Sequence, residues 1–152
     1  MKPLIVLLGA FGLSLVVTYY FASPDVQLCG RIAMSAMLLF TAVGHFAFTR
    51  GMMLMIPPFI AFKKELVLAT GGIEIAAAIA LLIPSLAVAT GWLLIAFFVV
   101  LLPANVYAAI HHIDYQKATP NGPGPKYLWF RIPLQLLFIV WIYWCVFARY
   151  QV

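Results

Sequence analysis

Acidic side chains are almost missing from this sequence: four occur among 152 residues, against nine Lys and Arg. Charged residues of both signs make up 9% of the chain, where a soluble globular domain carries about 25%. A chain this poor in charge cannot cover its own surface in water. Cysteine is scarce too. Cys29 and Cys145 are the only two, without a Cys-x-x-Cys or a zinc-type spacing, so no disulfide framework or zinc site is written here. A Ser-His-Asp order, a P-loop and a dinucleotide fingerprint are also lacking. Soluble-enzyme chemistry is therefore not legible, and whether the protein is an enzyme stays open. The net charge of +5 does not point to nucleic acid, because the basic residues stand singly beside apolar runs, as they do on membrane helices.

What fills the chain instead is apolar: 66% of residues are hydrophobic. A bilayer core about 30 Å thick is spanned by roughly 20 apolar residues. Five segments approach that length, at residues 3–21, 31–49, 66–83, 87–110 and 128–147. In lipid the backbone must satisfy its own hydrogen bonds, which makes each one helical. The expected class is an all-α, polytopic membrane protein with no soluble domain. Lys2 before the run 4–17 resembles the start of a signal peptide. However, Ala22-Ser23-Pro24 is a poor cleavage site, and Tyr19, Tyr20 and Phe21 read as an interfacial aromatic belt. An uncleaved helix is expected.

Residues 51–65 are too apolar for an ordinary loop, too short to span, and interrupted by Pro57-Pro58. They are expected to lie in the interface or dip back into the protein. Residues 111–127 are polar and rich in Pro and Gly, as an aqueous loop is. With five spans, Lys2, Arg50, Lys63, Lys64, Lys117 and Lys126 share one side, with Arg131 near it, and Arg31 and Arg149 share the other. The positive-inside rule then places the N-terminus in the cytoplasm and the C-terminus outside. Tyr127 and Trp129 at one end of the last segment, and Tyr143, Trp144 and Tyr150 toward the other, fit the two interfaces. Gly72, Ala76 and Ala80 at spacing four are expected to serve helix packing.

Polar side chains inside apolar spans carry the functional signal, since a charge in the bilayer is costly and marks a partner or a cavity. Glu74, His45, Asn105, Arg131 and Gln135 belong to four different segments. At 1.5 Å per residue they fall in one leaflet, roughly 5–12 Å from a shared boundary. Arg131 and Gln135 stand one turn apart on one face. A buried Glu74–Arg131 ion pair is expected, extended by His45, Asn105 and Gln135 into a pocket for a small lipophilic molecule with a polar head. A second reading stands beside it: buried pairs also lock helix register without a ligand, and Asn105 and Gln135 suit helix–helix hydrogen bonding. Arg31 is read as snorkelling to headgroups. His111, His112 and Asp114 after the fourth segment, and Met52, Met53 and Met55, are weighed as metal ligands. Adjacent His residues on a helix do not face one ion together, and no metal is expected. Cys29 and Cys145 are read as unrelated thiols.

Several short motifs, in order, give a resemblance. They are Gly44-His45-Phe46, Ile56-Pro57-Pro58, Gly71-Gly72-Ile73-Glu74-Ile75, Leu81-Leu82-Ile83-Pro84, Leu102-Pro103-Ala104-Asn105-Val106-Tyr107, Trp129-Phe130-Arg131-Ile132-Pro133-Leu134-Gln135 and Trp141-Ile142-Tyr143-Trp144. Over about residues 30–148 the chain resembles the DoxX-like family of small integral membrane proteins. The resemblance implies a four-helix membrane bundle over residues 26–152 and leaves 1–25 as an added N-terminal transmembrane helix. It also implies a bacterial inner membrane and a link to quinone-coupled redox or stress systems, alone or with a partner subunit. No redox centre is identifiable in the sequence. Two other functions are kept open: a small proton-coupled transporter, since buried Glu and His also form proton relays, and an accessory or assembly subunit without a ligand, as a homo-oligomer or beside other chains.

Overall fold

A computed structural model of the chain describes residues 2–21 and 25–148. Ala22-Ser23-Pro24, Arg149 and Tyr150, invoked above for cleavage, orientation and the aromatic belt, lie outside the described residues. Among the described residues the protein is all-helical: α1 (Lys2–Phe21), α2 (Val26–Ala47), α3 (Thr49–Leu54), α4 (Lys63–Ala80), α5 (Pro84–Ile110), a 3-10 turn (Pro125–Tyr127) and α6 (Leu128–Phe147). The only extended pairing among them is an isolated bridge between Asp114 and Thr119.

Local chemistry sets these boundaries. Asp25 caps α2, its carboxylate accepting from the Leu28 N–H at 3.0 Å, which satisfies one of the free donors at a helix start. The helix therefore begins five residues before Arg31, where hydropathy alone placed it. Pro57 and Pro58 keep the chain out of helix between α3 and α4. Phe62 turns the backbone through the left-handed region (φ 55°) just before α4, and Lys63 Nζ donates to the Ile56 carbonyl at 2.9 Å, closing the connection on itself. Pro84 occupies the first turn of α5, where its missing N–H costs nothing.

Among the described residues four helices are long and apolar enough to cross a membrane: α1, α2, α5 and α6 with its preceding 3-10 turn. The fifth expected span is α4. It begins at Lys63 and includes Lys64, Glu65 and Glu74, so it is too charged to stand with the other four by composition.

α2 lies at the centre of the packing, with α1, α4 and α6 all against it, while α5 packs mainly on α6. The core collects Met34, Met37 and Leu38 of α2, Ala78 of α4, Leu94 and Phe98 of α5, and Phe138 and Ile142 of α6. α1 is peripheral: Leu7 is its only buried residue. The outer surface is apolar, with Leu93, Val100 and Phe21 all exposed, an arrangement suited to lipid contact. On α4 the packing stripe is Val67, Gly71, Glu74 and Ala78. The expected stripe of Gly72, Ala76 and Ala80 is displaced from it: Gly72 and Ala76 are exposed, and a Cβ on Gly72 would meet nothing within 4 Å. A spacing of four is satisfied by several faces of one helix, and the face carrying Glu74 is the one that turns inward.

Candidate functional site

Arg31, Ser35, Leu38, Ala42 and His45 recur at four- and three-residue intervals along α2, which places them on one stripe of the helix. At the far end of that stripe His45 meets α4. Gly71 permits the approach, since a Cβ there would sit 2.8 Å from His45 Cβ. His45 Nδ1 then lies 3.0 Å from the Val67 carbonyl and 3.0 Å from Thr70 Oγ1. Thr70 Oγ1 itself donates toward the Val67 carbonyl at 2.8 Å. A carbonyl only accepts, so an Nδ1–H donates to Val67, whereas an Nδ1 lone pair accepts from the Thr70 hydroxyl.

The tautomer sets what the other side of the ring presents. His45 Nε2 is 3.6 Å from Glu74 Oε2, and their side chains are 13% and 5% exposed. With its proton on Nε2 a neutral ring faces the carboxylate as a donor; with its proton on Nδ1, Nε2 is a lone pair opposite an oxygen that only accepts, and the pair then holds a further proton, on Nε2 or on Oε2. The separation exceeds hydrogen-bond range, and Glu74 Oε2 is buried with no hydrogen-bond partner. A group so placed is costly unless something else bonds to it.

The second part of the expected constellation lies between α5 and α6. Asn105 Nδ2 donates to Gln135 Oε1 at 3.3 Å, and Gln135 Nε2 donates to the Phe98 carbonyl. Gln135 is buried. Pro103 has no N–H to give the Val99 carbonyl four residues back, which opens the α5 ladder beside the carbonyl that Gln135 uses.

The expected Glu74–Arg131 ion pair does not form. Glu74 faces His45 instead, its Oε2 3.6 Å from Nε2. Arg131 instead lies over the Tyr127 ring, 5.9 Å from its centroid. The reason is packing order: α4 rests chiefly on α2, while α6 rests on α5 and α2, so Glu74 turns toward α2. The five expected residues thus divide into a His45–Glu74 pair, an Asn105–Gln135 pair and a separate Arg131.

Thr70, Gly71 and the carbonyls of Val67 and Phe98 complete these contacts. On the α2 stripe Arg31 is largely buried with its Nε inside, and Ser35 one turn on is buried with it. Elsewhere, His111 stacks on Tyr107 with centroids 3.9 Å apart, and the Asp114 carboxylate accepts from the Gln116 and Lys117 N–H groups. Among the described residues no three His, Cys, Asp or Glu side chains gather as a metal site. Cys29 and Cys145 are free and buried. Between α1 and α6 an open groove of about 370 Å³ is lined by Phe11, Val26, Leu137, Val140, Trp141 and Trp144. Trp141 Nε1 donates to the Gly30 carbonyl at 3.1 Å, tying α6 to α2 beside it.

The class defined by these features is an all-helical protein with membrane-length apolar helices and a buried His–Glu pair. Residues 34–146 match the family model described as a domain of unknown function, DUF8561. The chain belongs to that family, and the match runs from within α2 almost to the end of α6, including both polar pairs. No curated protein and no solved structure matches the chain.

Proposed function

We propose that this is an integral membrane protein that binds a small lipophilic molecule with a polar, hydrogen-bonding head, of the quinone type, at the His45–Glu74 pair. The observation that carries the reading is Glu74 Oε2, a buried carboxyl oxygen without a hydrogen-bond partner beside a histidine whose far nitrogen is anchored. A hydroxyl head donates to the ionised Oε2; a carbonyl head accepts from the protonated one. Either protonation state of the pair therefore fits one redox form of a quinone-type head, and the histidine supplies or takes the proton. Asn105 and Gln135 belong to the same bundle, where they hold α5 and α6 together.

The bundle from α2 to α6 is read as DoxX-like, with α1 as an added helix, on the sequence motifs given above. The basic residues favour an N-in, C-out chain in a bacterial inner membrane. The exposed Phe59 and Phe62 of the 55–62 connection suit an interfacial segment. The resemblance favours a subunit of a redox or stress-response system.

The test is binding of a short-chain quinone to the purified protein in mild detergent. Wild type binds, Glu74→Gln weakens binding at least about tenfold, the scale of a lost charged hydrogen bond, and Arg131→Ala leaves it within about twofold. Equal binding by wild type and Glu74→Gln removes the site from Glu74.

A further inference from the structure

We propose that Arg31 and Ser35 form a second site, independent of the His45–Glu74 reading, that binds a phosphate-type anion at the opposite end of α2. Arg31 is 9% exposed and Ser35 4%. Arg31 Nε and Ser35 Oγ are both buried with no hydrogen-bond partner. The two residues stand one turn apart, so they lie on the same helix face.

A guanidinium is always charged and does not escape burial by losing its proton. It requires a counter-charge or a set of acceptors. Among the described residues no ion-pair partner for it is present. Its four acidic side chains, Asp25, Glu65, Glu74 and Asp114, all lie in the described residues. Within the described residues no carboxylate reaches Arg31 within the 4.0 Å of an ion pair. Asp25 caps the start of its own helix, Glu74 faces His45 at the other end of the stripe, and Glu65 and Asp114 are carried by the first turn of α4 and the loop after α5. The nearest characterised neighbours of this turn of α2 are neutral: beside Gly30 stand Cys145 and Trp144 of α6.

The donors present define the ligand. Arg31 offers its Nε–H within a planar fork that matches two oxygens of an oxyanion, and the Ser35 hydroxyl supplies a further donor one turn deeper. Arg31 lies about 8 Å along α2 from its first residue, five residues at 1.5 Å each. The long Arg31 side chain can extend from there toward the headgroups at the start of α2, so the phosphodiester of an anionic lipid is the favoured source. Inorganic phosphate from solution presents the same chemistry.

The experiment uses the full chain in an uncharged detergent, with wild type, Arg31→Lys and Ser35→Ala compared at matched folded fraction. Phosphatidylglycerol is titrated in one arm and inorganic phosphate in the other, with bound ligand counted by native mass spectrometry. Arg31→Lys keeps the charge and removes the fork; Ser35→Ala keeps the charge and the fork. Retention of phosphatidylglycerol that weakens about tenfold or more in both variants supports the site with a lipid source. The same loss for phosphate alone supports it with a soluble source. No binding by wild type in either arm, or binding by both variants within twofold of wild type, overturns the proposal.

Discussion

His45 Nε2 stands 3.6 Å from Glu74 Oε2, while His45 Nδ1 is held at 3.0 Å by the Val67 carbonyl. One ring therefore fastens α2 to α4 and presents its free edge to a buried acid. The structural and chemical roles of His45 are separable by substitution.

His45→Ala removes the ring nitrogen held at the Val67 carbonyl and the Thr70 hydroxyl and leaves Glu74 without its histidine neighbour. The expected cost is about 1–3 kcal/mol, that of a buried hydrogen-bonding group left unsatisfied. Chemical denaturation in detergent micelles at neutral pH measures it. A loss below about 0.5 kcal/mol contradicts the α2–α4 tie.

Adjacent glycines on α4 are expected to behave oppositely. A Cβ at Gly71 comes within 2.8 Å of His45 Cβ and 3.3 Å of the Phe46 ring, while a Cβ at Gly72 meets nothing within 4 Å. Gly71→Ala should destabilise by about 1–3 kcal/mol through overpacking. Gly72→Ala should be neutral or stabilising by up to about 1 kcal/mol, the helix-propensity gain. Thermal melting of the two variants side by side gives the answer; equal melting temperatures would mean that the inward face of α4 is misassigned.

Arg131 and Glu74 should be energetically independent. With no ion pair between them, Glu74→Gln and Arg131→Gln should add within about 0.5 kcal/mol in a double-mutant cycle. His45→Gln combined with Glu74→Gln should show coupling of at least about 0.5 kcal/mol, as residues in contact do. Coupling of that size between Arg131 and Glu74 would restore the pair that the packing order separates.

Gln135→Leu strips the Phe98 carbonyl and Asn105 of a partner at once. Hydrogen bonds between membrane helices contribute about 0.6–2 kcal/mol, and a loss in that range is expected on unfolding in micelles. Asn105→Leu in the Gln135→Leu background should add less than it does alone.

Much of the helix arrangement was legible as apolar runs; residues 128–147, read from hydropathy, coincide with α6. The start of α2 was not, because the Asp25 cap draws Gln27 and Cys29 into a helix whose apolar run begins at about Arg31. Glu74 stood out as a charge in an apolar segment, but its partner did not. Counting residues from a boundary gives depth, and His45, Arg131 and Glu74 are close in depth. Which of them meet depends on rotation about each helix and on which helices touch, and neither follows from depth. The stripe joining Arg31, Ser35 and His45 was readable at helical spacing, and it marks the buried face that a depth argument passes over.

The central claim is that the buried Glu74 oxygen holds the polar head of a lipophilic molecule. Native mass spectrometry of gently extracted wild type and Glu74→Gln tests it most directly. The account predicts a small lipophilic adduct on the wild type that is absent from Glu74→Gln at equal folded fraction, its mass naming the ligand class. An identical spectrum from both proteins, with no adduct or with the same one, would contradict the account and leave His45 and Glu74 as a pair that only sets the register of α2 on α4.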